Sequence, residues 1–304
     1  MNPSPTNRVG SRSDPTEKAA SARQDRWRAQ WKQFRRSRVA LPGLVLFVLF
    51  VLAGLLAPLI APHSPYDNDL ANVMSPPTLQ HWFGTDELGR DIFARILYGA
   101  RISLVEGVLS AAIAAAIGVP IGMLSGYAGT KVDAVIMRLI DVLLSFPGVL
   151  LAIVIISILG PSLVNAILAV AIYTVPIFAR FARGQTLAVK QEPYIEACRA
   201  MGMSNLRILA RHIFPNIAAT ITALATLRVG INILTCASLS FLGLGAQAPL
   251  PEWGAMLANS RTTLLIAPHL ALFPAAAILL LVFGLNLFQD GLQVVLDPKA
   301  RGRS

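Results

Sequence analysis

Long apolar runs alternate with short polar stretches along most of this chain. The runs cover residues 39–61, 102–126, 139–159, 163–178, 217–241 and 267–289. Each is close to the length a helix needs to cross a bilayer. The pattern predicts an all-α polytopic membrane protein with six transmembrane helices. Pro120 and Pro147 fall inside the second and third runs and predict kinks there. Gly160, Pro161 and Ser162 predict a tight turn between the third and fourth.

One polar island, residues 194–216, separates the fourth run from the fifth. Residues 196–201 read as a short helix. Residues 205–213 read as a second, with Leu206, Leu209 and Ile213 on one stripe. Ser204 or Asn205 suits its N-cap. Gly202 stands at the break, where a turn needs a permissive backbone. Pro215 opens the next apolar run, where a missing N–H costs least. The predicted element is a helix–turn–helix outside the hydrocarbon with a membrane helix on either side. A partner pressing on such a turn would move both helices. An ordinary basic loop has the same pattern.

Composition sharpens this reading. The chain is 55% hydrophobic and 14% charged, with mean hydropathy +0.61. A water-soluble domain carries about 25% charged residues. The net charge of +10 would point to nucleic acid in a soluble protein. Here its distribution follows the positive-inside rule. Residues 1–38 hold ten bases against three acids. Residues 62–101 hold five acids against three bases, and residues 180–211 six bases against two acids. Both termini and the polar island are therefore expected on the cytoplasmic side.

The expected division is a basic cytoplasmic tail over 1–38, then a first membrane helix with an extracytoplasmic loop over 39–100. A core of five membrane helices follows over 101–292, with a loop at 190–216, and a cytoplasmic tail over 293–304 closes the chain. The first twenty or so residues have a disordered composition. Trp27, Trp31 and Phe34 recur at helical spacing among basic residues. They suit an amphipathic helix on an anionic leaflet, or a tail with chance aromatics. The run after Arg35 and Arg36 is too long for a signal-peptide core.

Candidate chemistry inside the membrane is sparse. Gly118, Gly122 and Gly126 repeat every four residues, a spacing that lets helix backbones approach. Glu106 lies about one turn inside the second run. It would line a cavity or snorkel to the outer interface. Arg228 lies near the middle of the fifth run. It is a candidate for the solute pathway, or it pairs with Glu106 or a partner subunit. Arg138 and Asp141 are spaced to pair.

In the outer loops, 81–104 reads as one helical element capped by Thr85 or Asp86. Glu87 is expected to pair with Arg90 or Arg95, Glu252 with Arg261, and Trp253 to anchor at the interface. His81, Asp86, Glu87 and Asp91 lack a zinc or calcium spacing. Gly243, Gly245 and Ala248 nominally match a dinucleotide fingerprint, but no strand precedes them and Pro249 follows. No Walker A string, Ser-His-Asp set or HExxH motif appears. Cys198 and Cys236 do not suggest a disulfide framework.

Three phrases carry a family resemblance. Glu196-Ala197, then Gly202, then Pro215 thirteen residues on, resemble the EAA loop of ABC importer permeases. The 212–216 ending HIFPN, the phrase GTDELGRD at 84–91 and LSFLGLGAQAPLPEWG at 239–254 resemble the C-type permease subunit of the dipeptide/oligopeptide/nickel importers. Cys198 replaces the usual third alanine of the loop, and Cys236 stands where many relatives have Glu.

The resemblance implies a type I ABC importer permease fold with six transmembrane helices and cytoplasmic termini, in the inner membrane. It implies ATPase coupling through Glu196, Ala197, Gly202, Met203, His212 and Pro215. It implies partners: a second homologous permease, two ABC ATPases and an extracytoplasmic solute-binding protein, with no nucleic acid. ATP and Mg would sit on the ATPases, and this chain would bind no cofactor. Di- or oligopeptides or a related small solute would be the cargo. Two other classes were open to the pattern. A secondary transporter or channel would need more intramembrane acids than Glu106 and Asp141. A membrane enzyme would need a catalytic site.

Overall fold

The computed structural model describes residues 40–296. The aromatic set Trp27, Trp31 and Phe34, the basic tail with Val39, and residues 297–304 lie outside the described residues. Helix α1 spans Ala40–Ile60. A loop then leads to α2, Ile92–Ala128, of 37 residues. The pair α3, Thr130–Ser145, and α4, Gly148–Leu159, comes next. Helix α5 runs Leu163–Lys190. Two short helices follow, α6 at Pro193–Ala200 and α7 at Asn205–Ile208. A π turn, Leu209–Ile213, joins α7 to α8, Phe214–Phe241. Helix α9, Trp253–Asn259, and α10, His269–Leu296, complete the bundle. Five helical stretches are long and apolar enough to cross a bilayer: α1, α2, α5, α7 through α8, and α10. A sixth exists if the bent pair α3–α4 is one span.

That pair departs from the expected kinked span. The chain turns by 88° between α3 and α4. Pro147 has no N–H to continue a helix, and its ring pushes the preceding residue out of the helical region. Phe146 accordingly takes φ −85° and ψ 135°. With 12 residues, α4 is about 18 Å long. That is short of the ~30 Å hydrocarbon core.

Helix α2 also differs from expectation. It starts at Ile92, and its cap is Asp91, which accepts from Ala94 N at 2.7 Å. Neither Thr85 nor Asp86 caps it. Residues before 91 are not helical because Gly84 and Gly89 turn with φ +79° and +74°. Thr85 instead forms an isolated antiparallel bridge with Asp91. From Ile92 the helix continues through Pro120 to Ala128.

The tightest seam runs between α2 and α5. A Cβ added at Gly118, Gly122 or Gly126 would come within 2.6, 2.1 or 2.9 Å of the carbonyl oxygens of Val175, Ala179 and Arg183. The backbones touch because these side chains are absent. One core, with Ile92, Trp253 and Leu281, binds α1, α8, α9 and α10 around the start of α2. A second, with Val119, Met123 and Phe178, lies at the other end of α2. It is the one that positions the polar island.

Candidate functional site

The island folds as an elbow. Pro193 opens α6, so this helix begins three residues before the expected start at 196. Its end is closed by Gly202 N donating to Arg199 O at 2.9 Å and Met203 N donating to Cys198 O at 3.1 Å. Gly202 has φ +75°, the left-handed region that glycine enters freely. Ser204 takes the N-cap position of α7 without a side-chain cap bond. The next helix is not the separate one expected at 205–213. It passes through the π turn straight into α8. A π turn inserts one residue per turn, which rotates the helix phase. Ile208, Leu209, Ile213 and Ile217 therefore face inward, while Leu206 is 74% exposed.

The buried underside joins the elbow to the bundle. Ile195, Cys198, Ile208 and Ile213 pack in one cluster with Val119, Met123, Tyr127 and Phe178. Met203 is partly buried against the same cluster. The outer surface is different. Glu196, Ala197, Arg199, Gly202 and Arg207 are exposed, and so are Met201 and Leu206, each at 74%. Pro215 is exposed at the start of α8. His212 is half-buried in the π turn, and its Nε2 has no partner. Two exposed apolar side chains among bases and one acid make a surface suited to a protein partner.

Tyr127, the next-to-last residue of α2, pins the elbow. Its hydroxyl donates to Asn205 Oδ1 at 3.0 Å and accepts from Arg199 Nε at 3.3 Å. Lys190 Nζ donates to its carbonyl at 2.8 Å. Arg199 and Lys190 lie 5.0 and 5.5 Å from its ring centre, within cation–π range. One side chain thus gathers α2, α5, α6 and α7. The sequence pattern placed Tyr127 in a short loop. The signal was available: it directly follows the glycine repeat that ends at Gly126. A second tie joins the elbow's two ends, Asn216 Nδ2 donating to Tyr194 Oη at 3.1 Å and to His212 O at 2.6 Å.

Ion pairs fasten α3 to α5 nearby. Arg183 grips Asp133 with two bonds, Nε to Oδ1 at 2.6 Å and a terminal nitrogen to Oδ2 at 2.5 Å. Ser125 also donates to Asp133. Asp141 pairs with Arg180 rather than with Arg138. In both pairs the base belongs to α5, so the contact is between helices rather than within α3.

The intramembrane charges do not meet. Glu106 is fully buried, not snorkelled, and neither carboxylate oxygen has a hydrogen-bond partner. Glu252 and the Cys236 thiol lie within its electrostatic reach. Arg228 is half-buried with its Nε unpartnered, and no ion pair links it to Glu106. Cys198 and Cys236 are both buried and free.

The outer end corrects further expectations. Glu252 caps α9, accepting from Gly254 N at 2.8 Å and Ala255 N at 2.7 Å. Arg261 stacks over Phe241 at 5.1 Å instead of pairing with Glu252. Trp253 is fully buried and donates to Ile96 O at 3.2 Å, because α9 folds into the bundle rather than along its rim. Arg90 and Arg95 pair with Asp86, at 2.8 and 3.5 Å, and Glu87 accepts from Thr263 Oγ1 at 3.2 Å. Among the described residues no group of three His, Cys, Asp or Glu could hold a metal ion.

Apolar helices of spanning length, with a polar elbow packed against them, define a multi-pass membrane protein. Residues 118–302 match the family described as binding-protein-dependent transport system inner membrane component, and residues 25–77 match the N-terminal TM domain of oligopeptide transport permease C. The chain belongs to this family and is a permease subunit of an ABC importer in the inner membrane. It is 49% identical over 277 residues, 91% of each chain, to the glutathione transport system permease protein GsiD of Escherichia coli O157:H7. The same figures hold for GsiD of Shigella sonnei (strain Ss046). Its fold is similar to a chain of the inward-facing MetNI methionine ABC transporter, with TM-score 0.54 and 20% identity. That match covers 66% of this chain and 96% of that one.

Proposed function

We infer that this chain is the non-catalytic half of a coupled machine. It carries peptides or a closely related small solute inward while two ATPase subunits supply the energy. A second homologous permease completes the pathway, and an extracytoplasmic binding protein delivers the solute. ATP and Mg bind the ATPases, and this chain holds no cofactor. The elbow lies on the cytoplasmic side, a placement supported by six bases against two acids over 180–211.

The observation that carries this reading is the two-faced elbow. Its outer face offers Glu196, Ala197, Met201, Gly202 and Leu206 to a partner, and its inner face shares a core with α2 and α5. A push on the outer face reaches the bundle through that shared core. Tyr127 and the Ile208–Ile213 packing pass it to α2, and the unbroken π turn passes it to α8. His212 and Pro215 stand where that turn enters the span. The 49% identity to glutathione permeases supports a peptide-sized cargo.

Gly202 gives the test. Nothing lies within 4 Å of a Cβ built there, so beyond the backbone strain of φ +75° a larger side chain meets no atom of its own fold at Cβ and projects toward a partner. In the assembled complex, Gly202→Trp is expected to insert and assemble but to lose ATP-driven uptake of labelled glutathione. Normal uptake by that variant would contradict the coupling role.

A further inference from the structure

Arg228 stands midway along α8, between Phe214 and Phe241. At 1.5 Å per residue each end is roughly 20 Å away. A snorkelling side chain cannot cover that distance. The guanidinium therefore stays at depth, where it needs an anion or water. Among the described residues no acid forms an ion pair with it. Asp86, Asp91, Asp133 and Asp141 are engaged by other bases, and no ion pair joins Glu106 to Arg228. Arg228 is half-buried, and its Nε has no partner.

Its surroundings are polar on one side and open on the other. Tyr173 of α5 lies within electrostatic reach. Its hydroxyl meets Thr235 Oγ1 at 3.2 Å, while Thr235 donates its own proton to Ile231 O at 2.9 Å. Ile231 and Leu234, one and nearly two turns further on, are exposed. They mark a face of α8 that the described residues leave uncovered. A guanidinium with an unpartnered Nε, two turns from Thr235 on the same face of α8 and within electrostatic reach of Tyr173, has the chemistry to receive a carboxylate and release it.

We propose that Arg228 contacts a carboxylate of the solute as it crosses, with the Tyr173–Thr235 pair further along the same face, so that this position selects acidic cargo. The proposal rests on the importer reading above. Peptides end in a carboxylate, and glutathione carries two. An acid on the neighbouring permease is the competing account, and the test separates them.

The complete transporter, with its binding protein, is reconstituted in vesicles. ATP-dependent uptake is measured for glutathione, and for trialanine both as free acid and as C-terminal amide. Arg228→Gln is expected to lower free-acid uptake about tenfold or more and to bring it towards the amide rate. ATPase stimulation by the loaded binding protein should stay within about twofold, because the elbow is untouched. Arg228→Lys should recover part of the free-acid rate. Equal losses for acid and amide, a parallel loss of ATPase stimulation, or no loss at all would overturn the proposal. Wild-type complex that moves none of the probes would instead overturn the peptide-import reading, and this proposal with it.

Discussion

The Tyr127 hydroxyl donates to Asn205 Oδ1 at 3.0 Å, joining residues 78 apart at the end of α2 and the start of α7. The same oxygen accepts from Arg199. Tyr127→Phe removes both bonds and keeps the ring under Arg199 and Lys190. Each hydrogen bond is worth about 0.5–1.5 kcal/mol net. The variant should therefore assemble with a slightly lower Tm and move less solute per ATP hydrolysed. Tyr127→Ala also loses the ring contacts and should be worse on both counts. Measuring uptake and ATPase on the same vesicles checks this. An unchanged ratio for Tyr127→Phe would show that the hydroxyl transmits nothing.

Gly122 and Gly202 should respond oppositely to size. A Cβ at Gly122 would lie 2.1 Å from Ala179 O, so even alanine forces α2 and α5 apart. Overpacking of this kind typically costs about 1–3 kcal/mol. Gly202 has free space, and alanine there costs only its left-handed backbone, about 1–2 kcal/mol. Gly122→Leu should abolish assembly, while Gly202→Leu should assemble but fail in transport. Thermal melting and size-exclusion profiles distinguish the two.

Glu106 is buried with two unpartnered oxygens. An unsatisfied buried polar group costs about 1–3 kcal/mol. Glu106→Leu, of similar size, should raise the Tm of the purified complex. A lower Tm would mean that the carboxyl group is satisfied in the assembled transporter.

The two α3–α5 ion pairs should differ in strength. Asp133 and Arg183 have side chains 20% and 32% exposed and share two bonds. Asp141 and Arg180 are 53% and 56% exposed and share one. Exposed pairs contribute about 0–1 kcal/mol. Double-mutant cycles on thermal stability should find the larger coupling at Asp133–Arg183. Equal couplings would show that the second bond adds nothing.

The spans and the elbow were legible because both are written in local composition. Apolar runs mark α1, α2, α5, α8 and α10, and the basic island marks the turn at Gly202. What stayed hidden depends on contacts or on phase. Leu209 and Ile213 of the expected stripe are buried and Leu206 is not, and the π turn that carries this stripe into α8 leaves no mark in a 3.6-residue period. Trp253 looked like an interface anchor because nothing in its neighbourhood reveals that α9 folds inward onto Ile96. Asp141 sits at pairing distance from Arg138 in sequence, yet α5 brings Arg180 to it. Pro147 was visible, but a kink and an 88° break share the same local signal.

Nucleotide-dependent cross-linking from the elbow tests the central idea most directly. Met201→Cys places a thiol on the exposed face, and the native Cys198 and Cys236 are buried. In the assembled transporter this thiol is expected to cross-link to an ATPase subunit, with a yield that changes when ATP replaces ADP. A thiol that reacts only from outside sealed cells, or never reaches an ATPase, would contradict the account.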